Sequence, residues 1–191
     1  MALAHQHNFY TADEYLGMEA EATAKHEYVA GEIYAMAGAS ERHNRIVGNA
    51  FFHFRTATRG KTCGVFMADM KLRLMTQNIF YYPDVMLVCD RDDDHPLYKT
   101  APCILVEVLS PSTATTDKRE KWFAYRSLPS LKAYLLVDSE IRRAEYYLRE
   151  EAGEWQHASL EENDVLNFCC RDIRIALTLD DLYEDVDVPV I

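Results

Sequence analysis

The spacing of apolar positions changes several times along the chain, and each change marks an element. Residues 11–22 (TADEYLGMEAEA) begin with Thr11 at a capping position and predict a short helix. Residues 26–37 (HEYVAGEIYAMA) hold an Ala30-Gly31-Glu32 turn between two β-prone stretches, a hairpin signature. From Ser40 the period lengthens: Ile46, Val47, Ala50, Phe51 and Phe54 predict an amphipathic helix over about 41–58, stopped by Gly60. Val65 to Leu74 then alternates, with Met70, Leu72 and Leu74 on one face and Asp69, Lys71 and Arg73 on the other. Segment 79–89 (IFYYPDVMLVC) reads as a second strand. Pro83 within it cannot donate to a ladder and marks an edge position or a bulge.

An acidic loop at 90–95 (DRDDDH) separates this strand from 103–109 (CILVEVL), a short run that reads as fully buried. A helix is predicted from near Thr116 to the Leu128-Pro129 step, followed by a buried strand at 134–138 (YLLVD). Residues 141–176 alternate as a hairpin turning near Gly153, and a short helix begins near Leu179. The order of elements predicts an α/β or α+β sandwich around a mixed sheet.

A length of 191 residues against a prior of ~150 per domain predicts one domain over 1–191. With 49% hydrophobic and 27% charged residues, disorder is excluded as the class. Twenty basic against 31 acidic side chains leave a net charge of −11, so no overall attraction to nucleic acid follows. Contact with DNA would need a local basic strip or bound cations. The start, MALAHQHNFY, has neither the basic residues nor the apolar run of a signal peptide, and no stretch approaches the ~18 apolar residues of a membrane span. Five cysteines, an odd number without a C-x-x-C pair, predict free thiols in a reducing, cytoplasmic setting rather than a disulfide framework or a zinc site.

Three groups of charged residues depart from the pattern. Glu107 lies in the middle of an apolar strand, where an unpaired carboxylate costs several kcal/mol or more and is normally paired, protonated or metal-bound. Its plainest reading is a buried ion pair with an arginine. Asp84 follows Pro83 and enters another apolar strand; alone it reads as a solvated acid at a bulge. Adjacent strands would bring both acids to one sheet edge, where two carboxylates form a site for a hard cation such as Mg²⁺ or Mn²⁺. Lys118 and Lys121 share a helix face with Tyr125. Lysines usually face solvent, but Trp122, Phe123 and Tyr125 draw that face toward the protein. Two acids and a lysine suit phosphodiester hydrolysis: the ion polarises the phosphoryl oxygen and activates water, and the lysine orients that water or takes its proton. Asp69-Met70-Lys71 has the D-x-K form but precedes Pro83-Asp84, which makes Asp69 a neighbour of the site.

The strings Pro83-Asp84-Val85, Val106-Glu107-Val108-Leu109-Ser110-Pro111-Ser112-Thr113, Asp117…Lys121…Tyr125 and Tyr134-Leu-Leu-Val-Asp138 resemble the Uma-two family of restriction-endonuclease-like proteins. The resemblance runs from Tyr10 to Tyr183. It implies a PD-(D/E)XK nuclease core: a mixed central sheet flanked by helices, with added N- and C-terminal β-hairpins. It also implies Asp84 and Glu107 as metal ligands and catalytic acids, with Mg²⁺ or Mn²⁺ as cofactor. The lysine of the general motif would fall at Leu109; the family draws it from the next helix, here Lys121, with Lys118 as the alternative. Glu32, otherwise a solvated turn acid, matches a family position and joins the site as a supplementary catalytic residue. His43 also matches, against its ordinary reading as a cap or surface histidine.

Two functions are compatible with these features. One is a metal-dependent endonuclease acting on DNA, with Arg42, Arg45, Arg55, Arg59 and Lys61 as phosphate contacts and two copies assembling as a homodimer. The other is a catalytically inactive nuclease scaffold with an interaction or regulatory role, in which Glu107 is satisfied by a neighbouring base.

Overall fold

The computed structural model describes residues 9–111 and 117–189. Helix α1 (Ala12–Glu21) opens with a capping box in which the Thr11 side chain accepts from the Glu14 backbone and Glu14 reaches back to Thr11. Strands β1 (His26–Val29) and β2 (Glu32–Ala35) form the expected hairpin. Its two-residue turn, Ala30-Gly31, has positive φ at both positions (50° and 107°), as tight hairpins of right-handed twist require. Helix α2 (Glu41–Ala57) buries Ile46, Val47, Ala50 and Phe54, the positions its periodicity marks.

The long alternating stretch 65–74 is two strands, and so is 79–89. Strands β3 (Gly64–Met67) and β4 (Lys71–Leu74) belong to different sheets, as do β5 (Ile79–Tyr81) and β6 (Val85–Val88). Alternation has the same period on either sheet, so it cannot reveal the crossing. The breaks fall at Ala68, whose φ is 52°, and at Pro83-Asp84. They lie side by side, with the Ala68 amide donating to the Asp84 carbonyl at 3.3 Å.

The remaining strands are β7 (Tyr98–Lys99), β8 (Pro102–Leu109), β9 (Ala133–Asp138), β10 (Ala144–Arg149), β11 (Trp155–Leu160), β12 (Leu166–Cys170) and β13 (Ile173–Leu177). Six form a mixed sheet in the order β11-β10-β9-β8-β6-β3, in which β8 and β9 are parallel. Five form a second sheet, β2-β1-β5-β4-β7, and β12-β13 is a separate hairpin. One face of the six-stranded sheet packs on α2, the β12-β13 hairpin and the short helix α4 (Leu179–Leu182). The other face packs on the five-stranded sheet and on α3 (Trp122–Tyr125). All eight residues of β8 are buried, because it lies between two covered faces.

Two expectations from the sequence meet the 117–125 segment. The helix start near Thr116 lies outside the described residues; from Asp117 to Lys121 the chain makes one wide turn of π type and then enters α3. Phe123 is 67% exposed and does not draw its face inward.

The expectation of free cysteines is overturned. Cys63 is bonded to Cys89 and Cys103 to Cys170, leaving Cys169 free and exposed. The partners are 26 and 67 residues apart; strand register brings the first pair together, and packing of the β12-β13 hairpin on the six-stranded sheet the second. Gly64 pairs with Val88, which makes Cys63 and Cys89 the next cross-strand pair. A reducing compartment therefore loses the support drawn from the cysteine pattern. Among the described residues no helix is long and apolar enough to cross a membrane.

Candidate active site

Strands β6 and β8 are antiparallel with Val85 opposite Val106, so Asp84 and Glu107 are neighbours at one end of this pair. The Asp84 carboxylate is turned into the sheet: its Oδ2 accepts from the Val108 amide at 2.7 Å. The same oxygen lies 3.3 Å from Nε2 of His43. Ser40 caps α2 and holds His43 in the first turn, accepting from its amide at 3.2 Å. Burial opposes charge on the His43 ring, but the hydrogen bond and charge of Asp84, with help from Asp117, hold its pKa above the ordinary histidine value.

Glu107 is only 2% exposed. Its Oε1 accepts from the Tyr125 hydroxyl at 2.8 Å and lies 3.3 Å from the Lys121 ammonium. Burial lifts its pKa well above the ordinary glutamate value, outweighing the attraction of Lys121; the charges of Asp117, Asp84 and Glu27 add to the rise. Lys121 is enclosed by three carboxylates: Glu27 at 3.1 Å, Asp117 at 3.1 Å and Glu107 at 3.3 Å. The Tyr81 ring lies 5.4 Å beneath the ammonium. Desolvation works against the charge on Lys121, yet these acids hold its pKa well above that of a free lysine.

Asp84, Glu107 and Lys121 thus come together. Glu32 is placed on β2 as hydrogen-bond partner of the Tyr34 hydroxyl, and the acid of this hairpin that meets Lys121 is Glu27. Sequence reasoning passed over Glu27 because it reads as the polar position of an alternating strand. The face it occupies becomes interior only when the second sheet closes over β8. The alternative lysine, Lys118, turns to Glu145 at 3.0 Å. Asp69 pairs with Lys25 at 2.6 Å on the surface. Among the basic candidates, Arg42, Arg45 and Lys61 pair with Glu140, Glu41 and Asp172, while Arg55 and Arg59 are exposed.

Glu27, Glu107 and Asp117 surround one ammonium and Asp84 meets one histidine, so acids outnumber bases at this site. Among the described residues no three His, Cys, Asp or Glu side chains are placed to hold one metal ion together. Two carboxylates and retained waters are the usual protein complement of Mg²⁺, and the pair Asp84 and Glu107 fits that need.

A family model described as "Uma2: Putative restriction endonuclease" matches residues 12–179. Two uncharacterized proteins of Synechocystis sp. are similar. Protein sll1609 is 36% identical over 162 residues, covering 83% of this chain and 92% of its own length. Protein slr1290 is 34% identical over 172 residues, covering 90% of each. A crystal structure from Anabaena variabilis, titled a "putative nuclease belonging to DUF820", superposes with a TM-score of 0.74 over 93% of this chain and 99% of that one. At 15% identity that likeness speaks to the fold, which is the mixed α+β, restriction-endonuclease-like arrangement expected. With the motif strings lying where β6, β8 and the 117–125 segment meet, the chain belongs to the Uma2 family, the Uma-two family that those strings resemble.

Proposed function

We propose that this protein is a divalent-metal-dependent endonuclease that hydrolyses phosphodiester bonds in DNA, built as one domain over residues 1–191. The observation that carries this reading is a carboxylate buried in the central strand, beside a second on the next strand and under a lysine from the following turn. Asp84 and Glu107 would hold Mg²⁺ or Mn²⁺. Such an ion supplies Lewis-acid polarisation of a phosphoryl oxygen and activation of water. Lys121, kept charged by its three acids, acts as a fixed cation that orients the phosphate and offsets charge developing on it, rather than as a base. Glu27 and Asp117 position that ammonium, Tyr125 orients Glu107, and His43 orients Asp84. Glu32 is a supplementary residue of the same hairpin. On this reading two copies serve the two strands of a duplex.

Calorimetric titration of Mn²⁺ into the wild type, Asp84→Ala and Glu107→Ala tests the site without a choice of substrate. Binding in the wild type, lost in both folded variants, is the expected result, followed by Mn²⁺-dependent nicking of plasmid DNA. Equal titration curves for all three would remove the metallonuclease reading.

One observation favours a second reading, an inactive nuclease scaffold. Lys121 and Tyr125 already satisfy Glu107 through Oε1, and Leu109 occupies the usual lysine position. That reading predicts that Glu107→Gln changes stability and nothing else.

A further inference from the structure

The six-stranded sheet carries a second charged cluster in register with the first. Glu107 on β8 is opposite Leu136 on β9, and Leu136 is opposite Glu145 on β10. Cross-strand partners project from the same face of a sheet. Two strand spacings, about 10 Å, therefore separate Glu107 from Glu145 along one row. The Glu145 carboxylate gathers Lys118 at 3.0 Å, Arg143 and, at 3.3 Å, Nε2 of His157. Unlike Lys121, these groups reach solvent: the side chains of Lys118, Arg143 and His157 are 37%, 50% and 49% exposed. Two cations, Lys118 and Arg143, stand here with two acids, Glu145 and Asp138, around one small pocket. The protein as a whole carries −11.

We propose that Lys118 and Arg143, held in place by Glu145, form a phosphate subsite for the nucleic-acid strand that enters the Asp84–Glu107 site. The inference rests on the nuclease reading and deepens it by naming where the strand's backbone is gripped. A nucleic-acid strand carries one charge per nucleotide, and an offset of about 10 Å places this subsite at a neighbouring phosphate of the strand held at Glu107. The turn Asp117–Lys121 links the two ends, delivering Lys121 to the acids and Lys118 to the subsite. Contacts of this kind position the strand and carry no base preference.

The test is fluorescence anisotropy of a short labelled duplex, and of one of its strands, over a salt series with Ca²⁺ present. The paired variant Lys118→Gln/Arg143→Gln is expected to bind about tenfold more weakly, with the slope of log affinity against log salt reduced by about 2. Arg171→Gln/Arg174→Gln removes the same charge from exposed positions at the β12-β13 hairpin, which packs on the opposite face of the sheet, and should bind as the wild type does. If the first pair fails to fold, Ser159→Lys keeps the question open. Ser159 is exposed and opposite Glu145, and this change should tighten binding severalfold and raise the slope by about 1. Wild-type binding that neither the first pair nor Ser159→Lys alters would overturn the subsite and leave the active-site reading standing. Equal weakening by the control pair would overturn it too. A wild type that binds neither probe would remove the nucleic-acid reading and the subsite together.

Discussion

Lys118 and Lys121 leave the same turn of chain and end in opposite surroundings. Lys121 is one ammonium among three buried carboxylates; Lys118 shares one carboxylate, Glu145, with Arg143 and His157 near the surface. Three residues of spacing separate an interior where acids outnumber the one cation from a rim where cations and acids are balanced. The wide turn makes this possible, since it does not hold the two side chains in the single stripe that a regular helix would. The comparison shows that charge type says little about role without depth. A lysine in the interior is bound to its place, because desolvation makes every loss of a partner costly, whereas a half-exposed one is free to trade Glu145 for another anion.

Replacing the central cation should have the largest effect. Lys121→Met leaves Glu27, Glu107 and Asp117 facing one another out of water, and urea unfolding should register a loss of about 3–5 kcal/mol. Lys118→Met should stay within about 1 kcal/mol of the wild type in the same assay, as half-exposed ion pairs do. Similar losses for both would erase the contrast.

A smaller effect is expected from Tyr125→Phe, which removes the hydroxyl donor from Glu107 and leaves the ammonium on that oxygen. Unfolding should become easier by about 1–3 kcal/mol. No change at all would mean that Lys121 alone satisfies the buried acid.

The mildest test concerns pH at the rim. Burial opposes charge on Glu145, but Lys118, Arg143 and His157 hold its pKa below the ordinary 4.5. The stability it contributes is therefore present above that value and is lost as pH falls through the lowered one. Melting temperatures of the wild type and Glu145→Gln should differ most near neutrality and converge in acid. A gap that does not narrow at all as the pH falls would show that Glu145 acts by shape rather than by charge.

Much of the site was legible. Glu107 announced itself as a carboxylate in an apolar run, Asp84 by following Pro83 into another, and the spacing to Lys121 by the family string. Glu27 was not legible, since its place in a half-exposed hairpin gives no hint that a second sheet will cover that side. Nor could the sequence divide the lysines: helical spacing groups Lys118 with Lys121, and only the wide turn separates them. The cysteines misled for the same reason. Cys63 and Cys103 look like small core residues until strand register brings Cys89 beside the one and sheet packing brings Cys170 beside the other.

Local order was therefore set by the sequence alone: the Thr11 and Ser40 caps, the Ala30-Gly31 turn, the buried stripe of α2 and the apolar run of β8 that contains Glu107. These depend on neighbours a few residues away, whose geometry the chain itself dictates. Tertiary structure decided where 65–74 and 79–89 change sheets, which acids surround Lys121, and which cysteines bond. Each of these pairs residues far apart in the chain, and alternation looks the same whichever sheet a strand joins. What sequence could state was that a carboxylate would be buried in β8; which cation would answer it depended on how the layers closed.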